Sequence, residues 1–197
     1  MHIELTEMLR CPEAHREDFL ILSTGEMKGR MVRSGIVGCP VCGKEYIVAN
    51  GILSFGGATP TDPVSRGPAV DPQALQALLE LSGPGGFVIL VGSAARHAAG
   101  LGALMPGIHF VGINPPAGLG ELPILSLVHC ARTIPLRQAI ARGVVIGADT
   151  ASEPWLSEGQ RVLLNGRRCV IETEQATPPA GLTRLASEHG LWVGERR

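Results

Sequence analysis

Short apolar runs bounded by glycine, proline and polar turns recur along this chain. The pattern is clearest from residue 71 onward. Asp71-Pro72 offers an N-cap followed by proline at the first helical position, and Leu75, Leu78, Leu79 and Leu81 continue a helix up to Gly83-Pro84. Phe87-Val88-Ile89-Leu90-Val91 is apolar at every position, as expected of a parallel strand buried on both faces. A helix-like segment, Ala94–Leu104, follows, then strands over Ile108–Ile113, Ile124–His129 and Val144–Ile146. The remainder reads as a helix over Trp155–Leu164, a strand over Cys169–Ile171, a helix over Leu182–His189 stopped by Gly190, and a last strand over Leu191–Val193. Alternating strands and helices predict an α/β fold with right-handed crossovers and a mostly parallel, three-layer, Rossmann-like sheet.

The first 55 residues follow a different rhythm. Phe19–Leu22 and Met31-Val32 flank the polar turn Gly25–Gly29, and Tyr46–Val48 and Ile52-Leu53 flank Asn50-Gly51, a strong two-residue hairpin signal. From Gly56 to Pro68 the chain is rich in turn formers and has no apolar period. The expected organisation is a small β unit over 1–55, a linker over 56–70 and an α/β unit over 71–197.

Composition narrows the function classes. The chain has 197 residues, 45% hydrophobic and 18% charged, which excludes a disordered polyelectrolyte. Lys and Arg number 17 against 18 Asp and Glu, and aromatics make up 4%. That leaves neither a basic footprint nor a stacking platform, so nucleic acid is not an expected partner. The most apolar long stretch, Phe87–Met105, contains Arg96, His97 and several glycines and makes a poor membrane span. Met1–Glu7 carries two acids and no basic region of the signal-peptide kind. The expected location is cytoplasmic.

Cysteine placement supplies the first candidate chemistry. Cys39-Pro40-Val41-Cys42-Gly43 is a C-x2-C knuckle, whose spacing lets two thiolates face one ion while glycine permits the tight turn. Cys11-Pro12-Glu13-Ala14-His15 offers a second half. Cys11, His15, Cys39 and Cys42 together form a Cys3His set that suits structural Zn2+, with Glu13 as the competitor for the fourth position. A unit of 55 residues has little core of its own, so a metal would supply much of its folding energy. The competing readings are small core cysteines and a redox pair.

These residues also carry a resemblance. Met8-Leu9-Arg10-Cys11-Pro12, Gly38-Cys39-Pro40-Val41-Cys42-Gly43-Lys44-Glu45-Tyr46-Ile47-Val48 and Asn50-Gly51-Ile52-Leu53 are similar to the small zinc-ribbon family that activates tRNA and protein methyltransferases in eukaryotes. The likeness spans nearly all of residues 1–55 and implies a zinc ribbon. It departs at the first knuckle, where the family's second Cys is replaced and His15 lies one residue further on.

Residues 71–197 resemble class I S-adenosylmethionine-dependent methyltransferases. The likeness is carried by Trp155–Ile171, a helix with an Arg-Val-Leu run followed by a glycine turn and a strand, and by Ile134-Pro135-Leu136 ahead of the fourth strand. It implies S-adenosylmethionine as the cofactor, with Gly92, Ala94 and Asn114 at the binding positions. Each position departs from the family pattern. Of the glycine motif only Gly92 remains, with Ala94 and Arg96 following, and Asn114 stands where an acid accepts both ribose hydroxyls. The chain ends after Leu191–Val193, so the sheet is expected to be truncated at its last strand. Asp149, after the fourth strand, is placed to orient a nucleophile or cap a helix, while His97, His129 and Cys130 read as packed residues. The resulting expectation is a zinc-binding, methyltransferase-like protein with a degenerate cofactor site. It would act as a non-catalytic scaffold or regulatory partner, through another protein or a homodimer. The alternative is an active S-adenosylmethionine-dependent methyltransferase of unknown substrate.

Overall fold

The computed structural model describes residues 1–56, 70–119 and 122–197. All but the two ends of the expected linker lies outside the described residues. The front of the chain forms β1 (Ile21–Thr24), β2 (Met27–Lys28), β3 (Met31–Val32), β4 (Gly35–Gly38), β5 (Glu45–Ala49) and β6 (Ile52–Ser54). β5 and β6 are joined by Asn50-Gly51, whose φ angles of 52° and 79° are those of a type I′ hairpin turn.

The second part opens with α1 (Pro72–Leu78), where Asp71 accepts hydrogen bonds from the backbone N–H groups of Gln73 and Ala74. β7 (Phe87–Val91) follows, then α2 (Ala98–Leu104), β8 (His109–Ile113), β9 (Leu125–His129) and β10 (Ala141–Ile146). α3 (Trp155–Val162), β11 (Leu163–Ile171), β12 (Leu182–Glu188) and β13 (Leu191–Arg196) complete the order.

Eleven strands form one sheet, in the order β1-β4-β5-β6-β9-β8-β7-β10-β11-β13-β12. The six central strands, β6 to β11 in that order, run parallel, and antiparallel pairs flank them at both ends. Successive residues of the central strands enter opposite layers. Ile89 and Val91 join α3 and the N-terminal residues Leu5 and Leu9, whereas Val88 and Leu90 join α1 and α2. The all-apolar strand predicted at Phe87–Val91 is thus covered on both faces.

Four expectations are corrected. Leu182–His189 is strand β12, not a helix. His189 and Gly190 have φ angles of 54° and 76° and form a second two-residue hairpin turn, with Glu188 opposite Leu191. Gly190 is therefore a turn residue and not a helix stop. Consequently the sheet is not truncated: β13 lies antiparallel between β11 and β12. The helix expected over Ala94–Leu104 is divided, with a 3-10 segment over Gly92–His97 preceding α2. α3 also ends earlier than expected, at Val162, and β11 starts at Leu163.

The front unit and the α/β unit are joined through β6 and β9, which pair in parallel with Ile52 opposite Leu127 and Leu53 opposite Val128. Backbone bonds also run from Arg10 N–H to the Pro135 carbonyl and from Arg137 N–H to the Met8 carbonyl. The Ile134–Leu136 segment is pinned from below. Glu158 accepts from Ile134 N–H at 2.7 Å, and Arg161 donates to the carbonyls of Ile134 and Leu136.

One half-buried group sets an acid limit on this packing. Burial holds His109 down to about 4, with the neighbouring His2 and the N-terminal amine acting in the same direction. The Ser126 hydroxyl accepts from His2 N–H and lies 2.9 Å from His109 Nε2, where it can donate to a neutral ring. Below the ordinary imidazole pKa the unfolded chain takes a proton that the folded chain refuses. Stability contributed by His109 is therefore present above pH 6.5 and lost as pH falls toward 4, by about 3 kcal/mol in total. Denaturant unfolding at a series of pH values checks this. His109→Gln should flatten most of that slope, although His2 and His129, also shifted down by burial, will retain part of it. An unchanged slope in the variant would refute the assignment.

Candidate functional site: a Cys3His cluster and an occupied switch point

The metal-type residues converge. The donor atoms of Cys11, His15, Cys39 and Cys42 all lie within 4.8 Å of one another. Cys11 Sγ is 3.8 Å from Cys42 Sγ, and Cys39 Sγ is 3.4 Å from His15 Nε2. A tetrahedron with zinc–sulfur bonds of about 2.3 Å and a zinc–nitrogen bond of about 2.0 Å has edges of roughly 3.8 Å and 3.5 Å. The set fits such an ion. The surroundings fit it too: His15 Nδ1 lies 2.6 Å from the Arg16 carbonyl, so Nδ1 carries the proton and Nε2 presents its lone pair to the cluster. Glu13 is engaged elsewhere, 2.8 Å from Lys44 Nζ.

The second knuckle is closed by backbone bonds from Gly43 N–H to the Cys39 carbonyl and from Cys39 N–H to the Lys44 carbonyl, with Gly43 at φ 70°. Burial opposes ionisation of Cys39, yet the backbone N–H groups of Cys42 and Val41 and the neighbouring thiols outweigh it and bring Cys39 down to about 7. Cys11 is pushed up, by burial first. The Tyr46 hydroxyl sits 3.2 Å from Cys11 Sγ, a contact that sequence spacing gave no means of finding. Cys130 and Cys169 stand apart as buried core thiols, each pushed up to about 12, by burial above all.

The other expected site lies at the carboxyl edge of the sheet. The chain leaves β7 toward β8 and β9 on one side and returns through β10 and β11 on the other. The ends of β7 and β10 are thus the topological switch point, where open parallel sheets bind ligands. Here side chains from the two strand ends meet one another. Asp149, in the 3-10 segment after β10, accepts from Ser93 N–H at 3.0 Å and from Ser93 Oγ at 2.6 Å. Gly92 has φ 63°, and a Cβ there would lie 2.6 Å from the Thr150 side chain and 2.8 Å from Asp149 Oδ1. The space glycine provides is therefore taken by Thr150 and Asp149. Ala94 is fully buried behind them.

Asn114, at the end of β8, is similarly committed. Its Nδ2 donates to the Cys130 carbonyl at 2.8 Å, and its Oδ1 accepts from Cys130 N–H at 2.9 Å. The residue is buried, with φ 48°. Its amide ties the end of β8 to the end of β9.

Beside the switch point lies a charged group that sequence reasoning missed. Glu172, just after β11, receives Arg96 Nη2 and lies against His97 Nε2, both at 2.6 Å from its Oε1. Its side chain is fully buried, and Oε2 has no hydrogen-bond partner among the described residues. Arg96 and His97 come from the 3-10 segment after β7, so this cluster locks two strand ends together. No spacing rule links residues 96–97 to 172; only the topology does.

Five of the six parallel strands belong to the α/β unit, and a hairpin whose last strand inserts antiparallel beside β11 closes them, the topology of a methyltransferase-like Rossmann fold. No family model and no curated protein matches this sequence. Among solved structures, the antibiotic-resistance methyltransferase Kmr is 15% identical, over 68% of this chain and 97% of its own, with a TM-score of 0.46. A chain of the complex between the Haloferax volcanii Trm112 methyltransferase activator and a methyltransferase is 18% identical, over 52% of each chain, at 0.40. Geranyl diphosphate C-methyltransferase from Streptomyces coelicolor A3(2), solved with S-adenosyl-L-homocysteine, is 15% identical over 51% of this chain and 41% of its own, at 0.41. At these scores the likenesses say nothing about what this chain binds or does. No helix among the described residues is long and apolar enough to cross a membrane.

Proposed function

We propose that this chain is a zinc-ribbon protein fused to a methyltransferase-like domain that has given up catalysis and works by contact, as a cytoplasmic scaffold or regulatory partner of another protein. The ribbon is residues 1–55 and the methyltransferase-like domain residues 71–197. Cys11, His15, Cys39 and Cys42 hold Zn2+ as a closed structural site. With four protein ligands the ion keeps no position for substrate, so it organises the ribbon and takes no part in chemistry.

The observation that carries the non-catalytic reading is the Asp149 carboxylate on Ser93. A cofactor using the turn after β7 would have to displace a charged acceptor that already satisfies the N–H and hydroxyl there. It would also meet Thr150 in the space beside Gly92 and find the Asn114 amide paired to Cys130. Replacing the charge-assisted bond at Ser93 costs about 1.5–3 kcal/mol and the neutral Asn114 pair about 0.5–1.5 kcal/mol more, which together lower affinity roughly 30-fold or more.

Calorimetry with S-adenosylmethionine and S-adenosylhomocysteine tests this. The expected result is no binding at micromolar concentrations. A dissociation constant in the micromolar range, abolished by Gly92→Trp, would overturn the scaffold reading in favour of an active methyltransferase.

A further inference from the structure

We infer that Cys42 is the reactive thiolate of the Cys3His cluster, a modification site for hydroperoxides, with Cys11 as the partner that closes the oxidised sulfur into a disulfide. The inference rests on the proposed zinc site and adds a chemistry to it. In a closed site each of the three thiolates carries the same formal charge. What separates them is access and the hydrogen bonds each one receives.

Access comes first. Cys11 is 7% exposed and Cys39 3%, and both belong to the large buried cluster that continues into the central sheet. Cys42 is exposed. The difference is built into the knuckle. Cys39 directly follows β4 and opens the turn, whereas residues 40–45 are all exposed and carry Cys42 on the outside. Cys130 and Cys169 are buried and stand apart from the cluster.

Hydrogen bonding points the same way. A bond donated to a thiolate draws off charge and lowers its nucleophilicity. A metal-bound thiolate has no proton to give, so at Cys11 the Tyr46 hydroxyl is the donor, 3.2 Å from Sγ. Cys39 receives the backbone N–H groups of Val41 and Cys42. For Cys42 Sγ the described contact is another sulfur, Cys11 Sγ at 3.8 Å, which has no proton to offer once ionised. Lys44, the cation beside this knuckle, is engaged by Glu13 at 2.8 Å. Cys42 is thus the thiolate that is both reachable and least quenched.

The chemistry is a two-electron oxidation. The Cys42 thiolate attacks an oxygen of the hydroperoxide. An S–O bond forms, the O–O bond breaks, and the leaving alkoxide or hydroxide takes a proton from water, which leaves Cys42 as a sulfenic acid. The Cys11 thiolate then attacks that sulfur. An S–S bond forms, the S–O bond breaks, and the departing hydroxide is protonated to water. Two thiolates have lost two electrons and the hydroperoxide has gained them. Closing 3.8 Å to a disulfide length of about 2.0 Å asks for a shift of under about 2 Å beside an exposed turn. The bridged sulfurs carry no charge, and one thiolate with one imidazole is too small a set to hold Zn2+. Oxidation at Cys42 therefore acts on the front unit as removal of the metal does.

The test uses the protein as purified, with its zinc content measured first. Substoichiometric iodoacetamide, mapped by peptide mass spectrometry, should place at least about five-fold more label on Cys42 than on Cys11 or Cys39. Substoichiometric hydrogen peroxide should yield a Cys11–Cys42 disulfide and free about one zinc per bridge formed, and a thiol reductant with added zinc should reverse both. Tyr46→Phe keeps the ring against Phe55 but removes the donor to Cys11, so the share of label on Cys11 should rise at least about three-fold, with the melting temperature as its folding control. Protein without zinc overturns the metal reading and this inference together. Zinc-loaded protein that is labelled first at Cys11 or Cys39, that bridges Cys39 to Cys42, or that shows the same labelling in Tyr46→Phe overturns this inference alone.

Discussion

Chelating the proposed metal from purified protein is expected to unfold the β1–β6 unit and to lower the melting temperature by more than about 10 °C. Elemental analysis of the untreated protein should find about one zinc per chain. The size of the effect follows from where the four donors sit. Cys11 precedes β1 and Cys39 and Cys42 lie between β4 and β5, so one ion ties together segments separated by 24 to 31 residues. Small zinc-binding units draw on the order of 10 kcal/mol from the ion, which rivals the whole stability of a typical domain. The loss will not stop at the ribbon, because Cys11, Cys39 and Tyr46 belong to the same buried cluster as Val91, Val111 and Ile113 of the central sheet. At about 2–4 °C per kcal/mol for a chain of this size, even half of that contribution shifts melting by 10 °C or more. Cys39→Ser should reproduce the effect of chelation. His15→Ala should weaken metal affinity markedly yet leave three thiolates in place. Protein that melts identically with and without a strong chelator, or that contains no zinc, would refute the structural-metal proposal.

The sequence exposes different parts of this molecule unequally. Strands β7, β8 and β10 are legible because burial on both faces demands an unbroken apolar run, and no surface helix has that pattern. The four metal-type residues are legible because knuckle spacing is local: Cys39 and Cys42 must lie on one turn whatever the rest of the chain does. β12 is misread because Leu182, Leu185 and Ala186 satisfy a helical period about as well as a strand with an irregularity between Arg184 and Ala186. The informative residues were His189-Gly190, which the structure places at positive φ as a two-residue turn. The junction of β6 with β9 is not legible at all. Short strands carry no label for a parallel partner some 75 residues away, and the pairing is chosen by which edge is left open. The Ser93–Asp149 bond spans 56 residues and the Glu172 pairs span 75 and 76, so these contacts exist only once the strand order is known.

Asn114→Asp separates a worn-down ribose site from a residue with a structural task. The family resemblance makes this the obvious repair, since it restores an acid at the end of β8. If Asn114 were an idle remnant, the change would be harmless to folding and would improve cofactor binding. The geometry argues for the reverse. An ionised carboxylate can still accept from Cys130 N–H, but it has nothing to donate to the Cys130 carbonyl, which lies 2.8 Å from the present Nδ2. Two acceptors would then face each other in a buried setting, and the charge itself would be partly desolvated. The expected loss at neutral pH is about 3 kcal/mol, or roughly 6–12 °C in melting temperature, with no gain in S-adenosylmethionine affinity. The pH dependence identifies the cause. The introduced carboxyl is held protonated more strongly in the folded chain, where its O–H can donate to the carbonyl, than in the unfolded one. Its folded pKa is therefore raised, and the penalty relative to the parent chain grows as pH rises through the ordinary carboxylate range and shrinks as pH falls below it. Comparing unfolding free energies of the two proteins at pH 4.5 and 7.5 measures this directly. Equal stability at both values, together with new cofactor binding, would show that the amide holds nothing and that the nucleoside site survives.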